Sequence, residues 1–178
     1  MQIPPPESKA ALAAIILSAM AALLCNGAAV AAPMKAAIFP FEYVDLGQNI
    51  QGSSPPADEA ARLTLIGGVL ADRLTASGAY APIALSVAQA SIAKAPPLRD
   101  CQRCADEIAR GAGAEIAVVG YVQKVSNLIL NINIRVSEAA SGKVIAAASA
   151  DIRGNTDESW TRGVEWLVKN RLLAKPQP

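Results

Sequence analysis

The sequence predicts an α/β (α+β) fold in which helices pack on a mixed sheet. After an N-terminal apolar segment, the chain opens with a strand, an amphipathic helix and a second strand. Its second half holds one almost continuously apolar strand and then two strands whose apolar residues alternate with period two, which predicts an antiparallel three-stranded meander. A helix with an apolar stripe closes the chain and is expected to pack on the sheet.

The first strand is predicted from Lys35 to Val44, and Pro40 must either place it at a sheet edge or break it. An amphipathic helix follows from about Asp58 to Ser77, because Leu63, Ile66, Leu70 and Leu74 recur at three- and four-residue steps. The other predicted elements are a strand at 80–85, helices at 86–94 and 101–111, meander strands at 115–125, 130–136 and 144–152, and a last helix at 156–173. Asn155 and Glu158 form a capping signature at the start of that helix.

The N-terminal segment has the pattern of a secretory signal peptide. Lys9 precedes an apolar run from Ala10 to Leu24, which is shorter than the roughly 20 residues of a membrane span. Residues 29–31, Ala-Val-Ala, match the small-x-small pattern that signal peptidase reads. We therefore expect residues 1–31 to be a cleaved signal peptide and residues 32–178 to form a single periplasmic domain.

Two alternatives concern the same segment. If it is not cleaved, the apolar run anchors the protein in the membrane. Cys25 could instead be lipid-modified. A lipoprotein site, however, has a small residue directly before the cysteine, and Leu24 occupies that position here. After cleavage we expect no membrane insertion.

Composition excludes several function classes. The 178-residue chain contains no histidine, which rules out Ser-His-Asp and Cys-His catalysis and the histidine-containing zinc sites. A formal net charge of +1 without a basic cluster does not indicate nucleic acid as a partner. We expect no catalytic residues, no metal site and no cofactor.

Two stretches resemble the N-terminal domain of the TolB translocation family and the related curli-secretion family. They are residues 109–122 (ARGAGAEIAVVGYV), where a helix ends in Gly-Ala-acidic before a buried strand, and residues 136–145 (VSEAASGKVI), which add a Ser-Gly hairpin turn. This resemblance implies a TolB N-terminal-domain-like architecture.

A closer resemblance extends over most of the predicted mature chain. Residues 38–41 (IFPF), 122–134 (VQKVSNLILNINI) and 152–162 (IRGNTDESWTR) are similar to a proteobacterial family of secreted proteins catalogued only as a domain of unknown function. The resemblance implies secretion, and it gives no information about catalysis.

Cys101 and Cys104 are the only cysteines after the predicted cleavage site. The oxidising periplasm favours a local structural disulfide between them. Their place at the start of a helix would also lower a thiol pKa, so redox exchange stays open. Metal binding is a third reading, which would require a second subunit to complete a four-thiolate site.

The densest polar cluster lies at the junction between the last strand and the last helix, where binding residues are often displayed. Its candidate interaction residues are Arg153, Asn155, Asp157, Glu158, Trp160 and Arg162. Helix capping, first-turn acids and a buried tryptophan account for most of these residue types without a ligand. The two arginines are what capping leaves unexplained.

Asn131, Asn133 and Arg135 are a further candidate interaction set, since they alternate with apolar residues on one strand. The simpler interpretation is a solvated sheet face. Trp166 lies off the main apolar stripe and is an interface candidate. Nothing in the sequence singles out Glu42 and Asp45 as an acid/base pair.

These observations favour a non-enzymatic periplasmic interaction module that docks to a protein partner of the cell envelope. Docking is expected through a sheet edge or through the junction between Arg153 and Arg162. The alternative is an accessory protein for thiol-redox chemistry or metal handover that uses Cys101 and Cys104. A hydrolase that uses carboxylates alone is a third hypothesis.

Overall fold

The computed structural model describes residues 32–47 and 54–174, together with Gln2. The expected signal peptide, its cleavage after Ala31, and Cys25 lie outside the described residues, so they stay predictions.

The described residues form six strands and four α-helices, and the predicted α/β class is confirmed. In chain order the elements are β1 (Met34–Ile38), β2 (Glu42–Asp45), α1 (Ala57–Ala76), β3 (Tyr80–Pro82), a 3-10 turn (Ser86–Ala88), α2 (Gln89–Lys94), α3 (Gln102–Gly111), β4 (Ile116–Lys124), β5 (Ile129–Glu138), β6 (Val144–Arg153), α4 (Asp157–Leu167) and a π-helical turn (Val168–Leu172).

The sheet is mixed, with strand order β3-β1-β4-β5-β6 and with β2 also paired to β4. The strands β1 and β2 run parallel to β4, whereas β4, β5 and β6 form the predicted antiparallel meander. Pro40 breaks the first predicted strand into β1 and β2, because proline cannot donate a ladder hydrogen bond. The resulting β1 is not an edge strand, since it lies between β3 and β4.

One face of the sheet is covered by α1 and α4. The apolar stripe of α1 packs there with Trp160, Val164 and Leu167 of α4 against the inward side chains of the meander. Close approach of α4 requires glycine at residue 163, where a Cβ would lie 2.7 Å from Cγ2 of Ile152. The helix predicted to reach residue 173 is α-helical only to Leu167 and continues as the π-helical turn.

The second face is covered by α3 and the segment before it. The contacts here are made largely by small side chains, with Ala105 and Ala109 of α3 packed in one cluster with Ala37 of β1 and Ala117 of β4. Small residues allow helix and strand to approach closely. Consequently β4 is buried on both faces along its first half, as its continuous apolar sequence predicts.

Candidate functional site

The strand β6 forms one end of the described sheet. In that part of the chain β6 pairs with β5 on one side and has no strand on the other. A shift in register at Val136/Ser137 marks a bulge near its beginning. Most natural edge strands are protected by proline, charge or a covering element. The stretch from Ala147 to Ala150 carries neither proline nor charge.

The direction of the β6 backbone groups follows from two hydrogen bonds beyond the strand ends. Gly154 N donates to Leu128 O at 3.1 Å, and these residues lie directly opposite when the β5–β6 register is extended. In an antiparallel pair, groups that face the partner strand alternate with groups that face away. Even-numbered residues from 146 to 152 therefore point their N-H and C=O towards β5.

The odd-numbered residues of β6 have the opposite orientation. Ala147, Ser149, Asp151 and Arg153 point their N-H and C=O groups away from β5. The bond from Val125 N to Ile129 O gives the same result independently. It shows that odd-numbered residues of β5 point their backbone groups towards β4, so even-numbered residues of β5 face the even-numbered residues of β6. The edge thus offers alternating donors and acceptors to an additional strand.

A groove of about 460 Å³ runs between this edge and α4. Its lining residues come from residues 149–153 of β6 and from Ser159, Arg162, Gly163 and Trp166. Trp166 is 45% exposed, as its position off the apolar stripe predicts, and the Arg171 guanidinium lies 5.4 Å from the centroid of its ring. Edge and groove therefore form one continuous surface, named here the β6 groove.

The junction after β6 differs from its predicted capping arrangement. The N-cap of α4 is Thr156, whose hydroxyl accepts a hydrogen bond from Ser159 N at 3.3 Å. Glu158 pairs with Arg162 at 2.9 Å on the exposed side of the helix. The prediction of an Asn155 cap is therefore wrong, because the Asn155 side chain is engaged elsewhere.

Asn155 connects three parts of the fold. Its Nδ2 donates to Glu59 Oε1 at 2.5 Å, and its Oδ1 accepts bonds from Trp160 Nε1 at 3.0 Å and from Arg62 Nη1 at 3.2 Å. Trp160 is fully buried. Two of the junction candidates, Asn155 and Trp160, thus hold α4 in place.

The remaining junction candidates have more exposed positions. Asp157 accepts a hydrogen bond from Arg62 Nε at 2.8 Å, which ties α4 to α1 while the carboxylate stays largely in solvent. Arg162 forms an exposed pair with Glu158. Arg153 is exposed and lines the β6 groove. The arginines that capping could not explain are therefore both accessible in one groove.

Glu59 is a buried carboxylate that is not among the candidate residues predicted from the sequence. It is 2% exposed and accepts hydrogen bonds from Lys124 Nζ at 2.6 Å, from Asn155 and from the Tyr43 hydroxyl. Burial opposes ionisation of Glu59, but these bonds outweigh it and hold the pKa below its usual value. The sequence did contain a signal, since Glu59 lies four residues before Leu63 on the apolar stripe.

Tyr43 shares this site. Burial raises the pKa of its hydroxyl, and the hydrogen bond to the Glu59 carboxylate raises it further. The hydroxyl therefore stays protonated and acts as a donor. Together Tyr43, Glu59, Lys124 and Asn155 fix the α1 start, β2, β4 and the junction relative to one another.

The polar row on β5 is less solvated than expected. Asn131 Nδ2 donates to Asp151 Oδ1 at 2.7 Å, and Asn133 Nδ2 donates to Asn131 Oδ1 at 2.5 Å. Arg135 Nη2 donates to Leu98 O at 3.2 Å, because the segment before α3 covers that end of the second face. All three residues are partly buried. The two asparagines bond within the sheet surface, whereas Arg135 bonds to the segment before α3.

Cys101 and Cys104 are joined by a disulfide with a Cα–Cα distance of 5.4 Å. Cys101 occupies the N-cap position of α3, and both cysteines are half-buried. The residues directly before them, 98–100, form a turn. The geometry is compatible with both a structural crosslink and an exchange site.

Glu42 and Asp45 are not arranged as an acid/base pair. Glu42 accepts hydrogen bonds from Leu98 N at 2.5 Å and from Arg99 Nη1 at 2.9 Å. Asp45 accepts a bond from Gly47 N at 2.8 Å. The two carboxylates face opposite sides of β2, so they cannot act on one bond. Within residues 32–47 and 54–174, no group of three or more acidic or cysteine side chains could hold a metal ion.

In the described part of the chain, no helix has the length and apolar character needed to cross a membrane.

Comparison with known proteins places the fold. The profile of a family described as a protein of unknown function (DUF2380) matches residues 34–172. The chain is similar to the LpoB C-terminal domain from Salmonella enterica, with a TM-score of 0.50 and 17% identity over 78% of this chain and 93% of that chain. The PelC dodecamer from Paraburkholderia phytofirmans gives a TM-score of 0.50 and 16% identity over 78% of this chain and 88% of that chain. At these identities the likeness shows the fold alone. No curated protein matches the chain significantly.

Proposed function

The chain belongs to the DUF2380 family of unknown function, which is the kind of family expected from its sequence. We therefore propose a function from the geometry of the protein itself. The protein is a non-enzymatic binding module of the cell envelope, and it takes up an extended segment of a protein partner along β6. The observation that carries this proposal is the outer edge of β6, which pairs with no further strand among the described residues and lies beside an open groove.

Strand addition suits this edge on physical grounds. An incoming segment gains affinity from backbone hydrogen bonds and specificity from pockets that receive alternate side chains. Each of Ala147, Ser149, Asp151 and Arg153 offers one outward donor and one outward acceptor. The small alanine side chains leave room for a neighbouring strand, and the groove lies where alternate side chains of that strand would point.

The envelope location rests on two supports. Residues 1–31 have the pattern of an export signal, and Cys101 and Cys104 form a disulfide, which persists in oxidising compartments. N-terminal sequencing of protein recovered from the periplasm tests this location. Cleavage after Ala31 gives a chain that begins with Ala32, whereas an uncleaved anchor leaves the protein in the membrane fraction.

Site-specific photocrosslinking in cells tests the binding surface. A photoreactive residue at Ala147 should give a crosslinked adduct, whereas the same residue at Asp72, which is exposed on α1, should not. The Ser149→Pro change should remove the adduct, because it deletes an outward N-H that an added strand requires. Equal adducts at both positions, or an adduct that survives Ser149→Pro, would contradict strand addition.

A second candidate function follows from the partly exposed disulfide of Cys101 and Cys104, which could exchange with a partner thiol. Its reduction potential separates the two functions. A value below about −300 mV marks a structural crosslink, whereas a value of roughly −120 to −230 mV marks an exchange site.

A further inference from the structure

The walls of the β6 groove carry unequal charge. Arg153 and Arg162 both line it, and Asp151 is the one acidic side chain among its lining residues. Asp151 is engaged by the Asn131 amide at 2.7 Å. The lining residues therefore carry a net charge of +1, and Glu158, which pairs with Arg162 just outside the lining, is the carboxylate that an incoming acidic segment would replace.

Both arginines are available to a new carboxylate. In the described part of the chain, no carboxylate lies within 4.0 Å of the Arg153 guanidinium, while Arg162 pairs with Glu158. The side chains of Arg162 and Glu158 are 68% and 75% exposed, and such solvent-exposed pairs contribute little to stability. A carboxylate from a partner can replace Glu158 at small cost.

Trp166 supplies an apolar contact beside these charges. Its ring lines the groove, and the Arg171 guanidinium lies 5.4 Å from the ring centroid, which restricts the ring's orientation. A half-exposed tryptophan with one polar edge is typical of binding surfaces. An aliphatic side chain of a partner fits against it.

The spacing of these two features matches an extended chain. Arg162 and Trp166 are four residues apart on α4, which corresponds to about 6 Å along a helix. Alternate side chains on one face of a strand are roughly 6.6 Å apart. Both α4 and the following π-helical turn contact β6, so the helix runs alongside the strand.

We propose that the segment accepted by β6 is an acidic, extended peptide. On its α4-facing side it carries a carboxylate at Arg162 and an apolar side chain two residues away at Trp166. Arg153 at the end of β6 adds a second cation for an acidic residue on the other face. This inference rests on the proposed function, since it specifies the chemistry of the segment that binds by strand addition.

Two synthetic peptides test this specificity. Both are extended ten-residue peptides with threonine at alternate positions. In the first peptide, the positions between the threonines are occupied in turn by glutamate and valine. In the second peptide, lysine replaces each glutamate. Titration followed by tryptophan fluorescence and calorimetry should show at least about tenfold tighter binding of the glutamate peptide, because opposite charges are complementary across an interface.

Variants assign the effect to named residues. Arg162→Ala should reduce the preference for glutamate and its dependence on salt. Arg153→Ala should reduce them less, because Arg153 faces the threonine side of the bound peptide. Lys143→Ala, at the other end of β6, should leave both unchanged. Ser149→Pro should abolish binding of both peptides. Circular dichroism melts of each variant establish that it is folded.

The possible outcomes separate the two proposals. Equal affinity for both peptides, with binding still sensitive to Ser149→Pro, overturns the acidic specificity while strand addition stands. Binding that survives Ser149→Pro contradicts strand addition itself. Absence of binding at millimolar peptide overturns the inference, as does a concentration-dependent dimer that Ser149→Pro abolishes, because β6 would then pair with a second copy of the chain.

Discussion

The buried carboxylate of Glu59 provides a quantitative test of the fold around the junction. Glu59→Gln preserves shape but removes the charge that pairs with Lys124, whose side chain is 14% exposed while that of Glu59 is 2% exposed. Removing one partner of a buried ion pair costs about 3–5 kcal/mol. Because Lys124 keeps some contact with water, we expect the free energy of unfolding to fall by about 3 kcal/mol. This loss lowers the melting temperature by roughly 6–12 °C.

Two controls separate burial from charge. Glu158→Gln removes the same type of carboxylate from an exposed pair with Arg162 and should cost less than about 1 kcal/mol. Glu59→Gln combined with Lys124→Met should recover most of the lost stability, because no uncompensated charge remains. Urea and thermal unfolding followed by circular dichroism measure all four proteins.

The same residue predicts a dependence on pH. The pKa of Glu59 is lowered in the folded protein from the ordinary 4.5, so the ionised group stabilises the fold fully above that value. This stability is lost as the pH falls through the lower folded value. The Glu59→Gln protein should therefore lose less stability on acidification. A Glu59→Gln protein as stable as Glu158→Gln, or a double variant as unstable as the single one, would refute the reasoning.

Four further variants test other parts of the structure by thermal melting. Asn155→Ala should lower the free energy of unfolding by at least about 2 kcal/mol, because it leaves buried partners unpaired. Thr156→Ala should lower it by about 1 kcal/mol, because Thr156 is the N-cap of α4. A larger loss for Thr156→Ala than for Asn155→Ala would contradict this assignment of the two residues. Gly163→Ala should cost about 1–3 kcal/mol through overpacking, and an unchanged melt would show that α4 is free to shift. Replacing Cys101 and Cys104 by serine should cost about 2 kcal/mol for so short a loop, and no loss at all would favour an exchange role.

Much of the fold could be predicted from periodicity. The three- and four-residue spacing from Leu63 to Leu74 locates α1, and the alternation along β5 and β6 locates the meander. Strand order could not be predicted in this way, because pairing of β1 with β3 and β4 depends on contacts between residues far apart in sequence. The sequence could predict that Pro40 breaks the first strand. It could not predict that the second piece, β2, pairs in parallel with β4.

The candidate site was predicted less completely. Asn155 and Glu158 fit a local capping pattern, but the fold places Asn155 beside the start of α1, where Glu59 and Arg62 bind it instead. Thr156 then takes the cap. Glu59 could have been noticed on the apolar stripe, whereas its partner Lys124 follows from the pairing of β2 with β4, which no local pattern reveals.

Amide hydrogen exchange along β6 tests strand addition most directly. In the free protein, the amides of Ala148 and Ala150 should be protected by β5, and those of Ala147, Ser149 and Asp151 should exchange fast. Saturation with the glutamate peptide should slow the three odd-numbered amides and leave the two even-numbered ones nearly unchanged. Odd-numbered amides that still exchange fast in the saturated protein would contradict binding along this edge.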